Sequence, residues 1–224
     1  MRVVDTGRLR LEPQTAAHAE AMFAVLGDPA LYEHENEPPP SVEWLRARFG
    51  RLASRRSADG REQWLNWVIR LPTGELIGYV QATVRPGGGA AIAYVLSSAY
   101  WGRGIAQQAV EAMIAELVEH HEVRSLSAVL KRRNVRSLRL LERLGFAPAS
   151  PGHDGEDRVE PDELLMRREL WPSRAAWGDN PGASCLGDPW CGGPVRTRRP
   201  HMGNRDKQRR EPKKPKQPKK PTPA

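Results

Sequence analysis

Residues 90–112 constrain the fold of this chain more than any other stretch. The apolar run at residues 90–96 is typical of a buried strand, and apolar residues at helical spacing follow over residues 102–118. Gly102 and Gly104 lie where the helix opens, and glycines let a backbone approach a ligand because they carry no Cβ. The first turn of a helix presents free N–H groups and the positive end of the helix dipole. The pattern therefore predicts an anion site, suited to a pyrophosphate, to which Arg103 adds a positive charge.

Two other interpretations of the glycine pair are open at this point. The pair can form a tight turn with no ligand. It can also belong to a dinucleotide-binding site, but the third glycine of that motif is missing and no acidic residue closes a second strand at the expected distance. The context along the chain decides between these interpretations.

The basic charge of the chain is concentrated in its last quarter. The 224 residues carry a net charge of +8, yet residues 173–224 contain 13 Lys+Arg and four Asp+Glu, and residues 1–172 contain 22 and 23. Residues 173–224 are also rich in proline and glycine. We therefore expect one domain over residues 1–172 and a disordered basic tail over residues 173–224. The tail suits binding to RNA or the ribosome through phosphates, or it is an unselected extension.

Several classes of protein are excluded by what the sequence lacks. No apolar run is long enough to span a membrane, and the first residues contain no apolar signal region. The two cysteines, Cys185 and Cys191, suggest neither a disulfide framework nor a zinc site, because their spacing is wrong and a fourth ligand is not evident. We expect a cytoplasmic protein that uses no metal and binds no membrane.

The order of predicted elements defines the fold class. Alternating apolar residues predict strands near residues 8–11, 64–70, 76–84, 90–96, 123–130 and 164–170, with an extended path after Phe146. Helical spacing predicts helices after Thr15, after Ser41, over residues 102–118 and over residues 134–144. Three successive antiparallel strands followed by a strand–helix–strand unit imply an α/β (α+β) fold. Its sheet is mixed and mostly antiparallel, has helices on both faces and includes one central parallel pair.

Three motifs in this order resemble the GNAT superfamily of acetyl-CoA-dependent N-acetyltransferases. The first is the central strand with residues 101–106, which is similar to the acetyl-CoA signature Gln/Arg-x-x-Gly-x-Gly/Ala. The second is Asn134-x-x-Ser137 continuing to Leu144-Gly145-Phe146, which is similar to the fourth-helix motif. The third is the hairpin over residues 67–80. The resemblance covers about residues 6–171 and is strongest to the Rim-type branch, which acetylates ribosomal proteins.

The chain departs from the family pattern at two positions. Trp101 stands where the signature begins with Gln or Arg. Leu141 stands where many members carry a tyrosine that is thought to protonate the departing thiolate. The resemblance therefore implies that another group, or water, supplies that proton here.

The resemblance implies acetyl-CoA as co-substrate and a set of residues that bind it. The pantetheine arm would extend the central strand by hydrogen bonding to its backbone, which requires the two parallel strands to splay apart. A backbone N–H at Val95 or Leu96 could stabilise the developing oxyanion. The residues assigned to the coenzyme are Val95, Leu96, Trp101, Gly102, Arg103, Gly104, Ile105, Ala106, Asn134 and Ser137.

The catalytic candidates are Ser137 as proton donor to the thiolate, Tyr94, and Glu35 as a base. Each has a structural alternative: Ser137 can be a packing residue, Tyr94 a core aromatic and Asn134 a helix cap. The acidic run can be a solvated loop. Other candidates for the base are Glu33, Glu37, His34 and Gln81.

Two functions are consistent with these patterns. The first is an acetyl-CoA-dependent N-acetyltransferase that acts on a primary amine, either a protein N-terminus or a small molecule, by direct attack in a ternary complex. The second is a non-catalytic acyl-CoA-binding module with a nucleic-acid-binding tail. A monomer and a homodimer are both compatible with the sequence.

Overall fold

The computed structural model describes residues 1–34, 37–150 and 159–170. The strands are β1 (Val4–Asp5), β2 (Arg10–Pro13), β3 (Gln63–Arg70), β4 (Leu76–Val84), β5 (Gly89–Leu96), β6 (Ser125–Lys131), β7 (Ala147–Ala149) and β8 (Glu163–Glu169). The helices are α1 (Ala19–Leu26), α2 (Val42–Leu52), α3 (Ile105–His121) and α4 (Val135–Arg143). This order of elements agrees with the predicted one, apart from the short additional strand β1.

The eight strands form one sheet in the order β1-β2-β3-β4-β5-β6-β8-β7, which confirms the predicted fold class. Every neighbouring pair is antiparallel except β5 and β6. That parallel pair is in register from Gly89↔Ser125 only as far as Ala91↔Ser127. Beyond Ala91, β5 continues to Leu96 beside β4 alone. The central pair therefore splays apart, as predicted.

Both faces of the sheet are covered by helices because alternate strand residues point to opposite sides. On one face, Leu65, Trp67 and Ile69 of β3 join a core cluster with buried residues of α3 and α4. On the other face, Val68 of β3 joins a second cluster with buried residues of α1 and α2. Each helix buries one apolar stripe against the sheet.

Local capping chemistry sets several helix ends. The Ser41 hydroxyl accepts a hydrogen bond from the Trp44 N–H at 3.1 Å at the start of α2. The Asn134 side chain accepts one from the Ser137 N–H at 3.1 Å at the start of α4. After α4 the chain reverses at Gly145, whose φ of 80° suits glycine. These three caps agree with the sequence prediction.

Two predicted helix starts differ from the structure. The helix predicted from residue 102 begins at Ile105, because Gly102 and Gly104 have φ of 73° and 74°, outside the right-handed helical region. Thr15 precedes a short 3-10 turn, Ala16–His18, and α1 starts only after that turn. The two glycines therefore form the loop that leads into α3 rather than its first turn.

Some sequence predictions lie outside the described residues. These are Glu35 as a base and the disorder and nucleic-acid binding of residues 173–224. In the described part of the chain, no helix combines the length and apolar character needed to cross a membrane. The same residues contain no cluster of three or more His, Cys, Asp or Glu side chains placed to hold a metal ion.

Candidate active site

The splay between β5 and β6 adjoins two cavities of about 450 Å³ each. We call the first the α3 cavity, because the residues around the start of α3 line it together with the start of α4. We call the second the α2 cavity, because Trp44, Leu45, Arg48, Phe49 and Leu52 of α2 line it together with parts of β4 and β5. The two cavities share Leu31, His34, Tyr94, Val95, Asn134 and Ser137. They therefore meet where the parallel strands separate.

The α3 cavity brings together nearly all of the residues that the sequence assigned to the coenzyme. It is lined by Val95, Leu96, Trp101, Gly102, Gly104, Ile105, Ala106, Asn134 and Ser137, and also by the catalytic candidate Tyr94. Residues from β5, the loop after it and the start of α4 thus form one wall, although the end of β5 and the start of α4 lie about 40 positions apart in the sequence.

The start of α3 has the form of an anion cradle. Gly104 is the residue before the helix, and its left-handed conformation leaves open space around the position of a Cβ. The N–H of Gln108 donates back to the Gly104 carbonyl at 3.1 Å. The N–H groups of residues 105–107, which line the cavity, are those that a helix leaves without intrahelical partners. A pyrophosphate fits this arrangement, because the free N–H groups can donate to it and no side chain at Gly104 blocks its approach to the backbone.

Trp101 holds the loop between β5 and α3 through two contacts of its side chain. Its indole Nε1 donates to the Leu96 carbonyl at 2.7 Å, which ties the loop to the end of β5. The guanidinium carbon of Arg136 lies 3.8 Å from the centroid of the Trp101 ring. This cation–π pair links the loop before α3 to the first turn of α4.

The positive charges of the α3 cavity come from α4 rather than from Arg103. Arg136 and Arg143 line the cavity. The guanidinium carbon of Arg103 instead lies 5.4 Å from the centroid of the Tyr100 ring, and Arg103 lines a neighbouring pocket that shares Gly104, Ile105 and Gln107 with the α3 cavity. Sequence reasoning missed the two α4 arginines, although their spacing of seven residues places them on one helix face.

A small hydrogen-bonded group holds the junction of the two cavities. The Ser137 backbone accepts a 3.4 Å bond from the Tyr94 hydroxyl and donates to the Asn134 side chain at 3.1 Å. Burial raises the pKa of Tyr94 to about 12. The Tyr94 hydroxyl is therefore protonated at neutral pH, which suits a hydrogen-bond donor and not a base. Asn134 caps its own helix while it lines both cavities.

The segment that follows α1, residues 28–34, lies at the junction of the two cavities. His34 lines both cavities, Glu33 lines the α3 cavity and Glu37 lines the α2 cavity. At the start of the segment, the Asp28 carboxylate accepts a 3.2 Å hydrogen bond from the Ser98 N–H in the loop after β5. The hydrogen bond with the Ser98 side chain is the main cause that lowers the pKa of Asp28, so Asp28 stays charged. At its other end, the His34 carbonyl accepts a bond from Arg133 at 3.1 Å.

The α2 cavity contains the base candidate Gln81 and two polar groups, Gln14 and Arg48, that the sequence did not point to. Gln14 is 6% exposed, and its buried amide Nε2 has no hydrogen-bond partner within the described residues. Gln81 of β4 and Arg48 of α2 line the same cavity. Leu141, at the position of the family tyrosine, also lines it and is 1% exposed.

Gly78 allows β4 to approach β5 at the site. It is the register partner of Leu96, and a Cβ built at this position would overlap the Val95 carbonyl oxygen. The β3–β4 register also shifts beside Gly78, between Ile69 and Arg70.

Solved structures with the same fold include enzymes of known activity. RimL, a ribosomal L7/L12 alpha-N-protein acetyltransferase in complex with coenzyme A, has a TM-score of 0.63 and 16% identity, over 75% of this chain and 97% of that one. A ribosomal-protein-S5-alanine acetyltransferase from Vibrio fischeri has a TM-score of 0.62 and 17% identity, over 75% and 96%. A GNAT-family acetyltransferase from Bordetella pertussis has a TM-score of 0.59 and 26% identity, over 75% and 99%.

The family assignment comes from the sequence match. No curated protein matches the sequence of this chain. The family model for the acetyltransferase (GNAT) domain matches residues 8–147, which is more than half of the chain. Together with the anion cradle and the splayed strand pair, this match shows that the chain belongs to the GNAT superfamily of acetyltransferases.

Proposed function

We propose that this protein transfers the acetyl group of acetyl-CoA to a primary amine by direct attack in a ternary complex. The observation that carries the proposal is the connection of two cavities at the strand splay. The α3 cavity has the donors and arginines for a pyrophosphate, and the α2 cavity offers a separate space of about 450 Å³. Two substrates bound from opposite sides would meet at the shared residues.

The α3 cavity suits the pyrophosphate and the pantetheine arm of the coenzyme. The pyrophosphate would accept hydrogen bonds from the backbone N–H groups of the cradle at residues 104–107 and would pair with the positive charges of Arg136 and Arg143. The backbone of β5 past Ala91 is free of β6 and can pair with the amides of the pantetheine arm. A fit of this kind places the thioester next to Val95 and Leu96. A backbone N–H there would stabilise charge that develops on the thioester oxygen.

Ser137 is the group placed to protonate the departing thiolate. It lines both cavities, and the hydrogen bonds to Asn134 and Tyr94 use its backbone N–H and carbonyl. Tyr94 positions Ser137 through the second of these bonds. In this role Ser137 would replace the tyrosine that many members of the family carry at the position of Leu141.

The similar structures and the α2 cavity support one class of acceptor. The name of one structure with this fold describes alpha-N acetylation of ribosomal protein L7/L12, and the name of another describes acetylation of an alanine of ribosomal protein S5. The unpartnered Gln14 amide suits the carbonyl oxygen that follows an α-amino group in a peptide. We therefore place unblocked peptides ahead of other amines as acceptors.

The test is acetyl transfer by the full-length chain. A panel of unblocked peptides, including ones that begin with alanine or serine, is compared with the same peptides N-formylated and with small-molecule amines. We expect release of coenzyme A thiol together with an acceptor that gains one acetyl group. Binding of acetyl-CoA without transfer to any of these amines would instead favour the non-catalytic module.

A further inference from the structure

The junction of the two cavities holds one side chain suited to exchange a proton near neutral pH. Of the six shared residues, Leu31 and Val95 are apolar and Asn134 is occupied as a helix cap. The pKa of Tyr94 is raised to about 12, and Ser137 carries a hydroxyl. The remaining residue is His34. Histidine is the residue type that changes charge between about pH 5 and 8.

The imidazole of His34 has an unsatisfied nitrogen at this place. Its Nδ1 is buried and has no hydrogen-bond partner within the described residues. The Nε2 lies 4.0 Å from the Glu33 carboxylate, and the side chain is 18% exposed. A buried polar atom without a partner is costly, and a substrate that supplies the partner removes that cost.

The backbone of His34 is held in place from two sides of the splay. Arg133, just before α4, donates to the His34 carbonyl at 3.1 Å. Asp28, six residues earlier, accepts from the Ser98 N–H after β5 at 3.2 Å. Between them, the Tyr32 hydroxyl donates to the Leu26 carbonyl at 2.6 Å. The imidazole is therefore carried by an anchored segment.

We propose that Nδ1 of His34 is the general base that takes the proton from the attacking amine, directly or through one water molecule. The proposal rests on the proposed function above. Glu33 lies on the Nε2 side of the ring, so Nδ1 is the ring nitrogen without a partner within the described residues. The other charged groups around the junction are Glu37 and Arg48 in the α2 cavity, Arg136 and Arg143 in the α3 cavity, and Arg133 on the His34 carbonyl.

The step balances without any further reactant. As the nitrogen of the neutral amine forms its bond to the acetyl carbon, one N–H proton passes to Nδ1 of His34. The C–S bond then breaks, and the sulfur keeps the bonding pair and takes a proton from the Ser137 hydroxyl. His34 releases its proton to water, and Ser137 regains one from water. The products are the acetamide and the coenzyme A thiol.

The experiment compares His34→Gln with His121→Gln, a half-buried histidine on α3 that lines neither cavity. Transfer to the best acceptor of the panel is measured from about pH 5 to 9, together with acetyl-CoA affinity and the thermal unfolding midpoint. We expect His34→Gln to lower kcat about a hundredfold and to lose an acidic limb of the pH profile that wild type shows. Acetyl-CoA affinity stays unchanged, and His121→Gln behaves as wild type. In His34→Ala, added imidazole restores turnover in proportion to its free-base concentration.

The outcomes separate the two proposals. If wild type acetylates no amine, the proposed function fails and this inference with it. If wild type is active and a folded His34→Gln variant keeps its kcat and its pH profile, only the role of His34 is overturned. If the variants do not fold, NMR of the wild-type His34 ring is used, with coenzyme A bound and the acceptor added. An unchanged ring signal at saturating acceptor overturns the role of His34, and a shifted signal supports it.

Discussion

The guanidinium carbon of Arg136 lies 3.8 Å from the centroid of the Trp101 ring, and the Trp101 indole also donates to the Leu96 carbonyl at 2.7 Å. One aromatic side chain thus connects the end of β5, the loop before α3 and the first turn of α4. These are the elements that surround the proposed coenzyme site. The family motif has Gln or Arg at the position of Trp101, and in this chain Arg136 brings a guanidinium to the same place.

We expect Arg136→Ala and Trp101→Leu each to lower the affinity for acetyl-CoA by about tenfold, because each removes half of the cation–π pair. The double variant should lose less than the sum of the two effects, with a coupling free energy of about 0.5–2 kcal/mol. Isothermal titration calorimetry measures the acetyl-CoA affinity of wild type, of the two single variants and of the double variant. Arg139→Ala, an exposed arginine of α4 outside both cavities, is the matched control. Strictly additive losses would contradict the coupling.

Gly104→Glu should lower acetyl-CoA affinity at least tenfold, because it places a carboxylate where we position the pyrophosphate and like charges repel. Gly87→Glu is the control, since Gly87 also has a positive φ and open space around its Cβ position and lines neither cavity. Both variants bear about 1–2 kcal/mol of backbone strain. Equal affinities for the two variants would place the pyrophosphate elsewhere.

Gly78→Ala should destabilise the fold by about 1–3 kcal/mol, because its Cβ would overlap the Val95 carbonyl oxygen and one strand must move. The displaced backbone should also reduce acetyl-CoA affinity. Gly89→Ala on β5 meets only the Ser125 hydroxyl at 3.6 Å and should change the free energy of unfolding by about 0.5 kcal/mol or less. Chemical denaturation of the three proteins checks this prediction, and similar values for the two variants would refute it.

Ser137→Ala should lower kcat about a hundredfold if its hydroxyl protonates the thiolate. Tyr94→Phe should have a smaller effect, since Tyr94 acts through the Ser137 carbonyl. Because the pKa of Tyr94 is raised to about 12, wild type and Tyr94→Phe should have the same profile shape up to about pH 10. A limb that Tyr94→Phe removes in that range would show that Tyr94 titrates during the reaction.

Glu12→Gln should destabilise the protein at neutral pH and not at low pH. Arg70 donates to the Glu12 carboxylate at 2.9 Å, and this hydrogen bond lowers the pKa of Glu12 from 4.5 in the folded state. The stabilisation is therefore complete above about pH 4.5 and is lost as the pH falls through the folded-state value. We expect a difference in the free energy of unfolding of about 1 kcal/mol at pH 7 that vanishes as the pH falls through the folded-state pKa of Glu12. A difference independent of pH would contradict this assignment.

Much of the coenzyme side was predictable because its determinants are local. The glycines before α3, the Asn134 cap and the apolar run of β5 lie within short stretches whose backbone preferences follow from residue type. The two arginines of α4 on this side were not predicted. Arg103 adjoins the glycines in sequence but packs on Tyr100, whereas Arg136 reaches the cavity from another helix.

The sequence by itself determined the order of elements, the fold class and the family, since apolar periodicity, helix caps and motif spacing depend on residues that lie close together in the sequence. Only the tertiary structure decided which polar groups share a cavity. His34, Tyr94 and Ser137 come from three elements up to 103 positions apart and meet because the parallel strands separate after Ala91. The burial of Gln14 and the close approach of Gly78 to Val95 likewise depend on packing between elements. Such contacts depend on how the strands and helices are placed in space, and local sequence preferences do not record that placement.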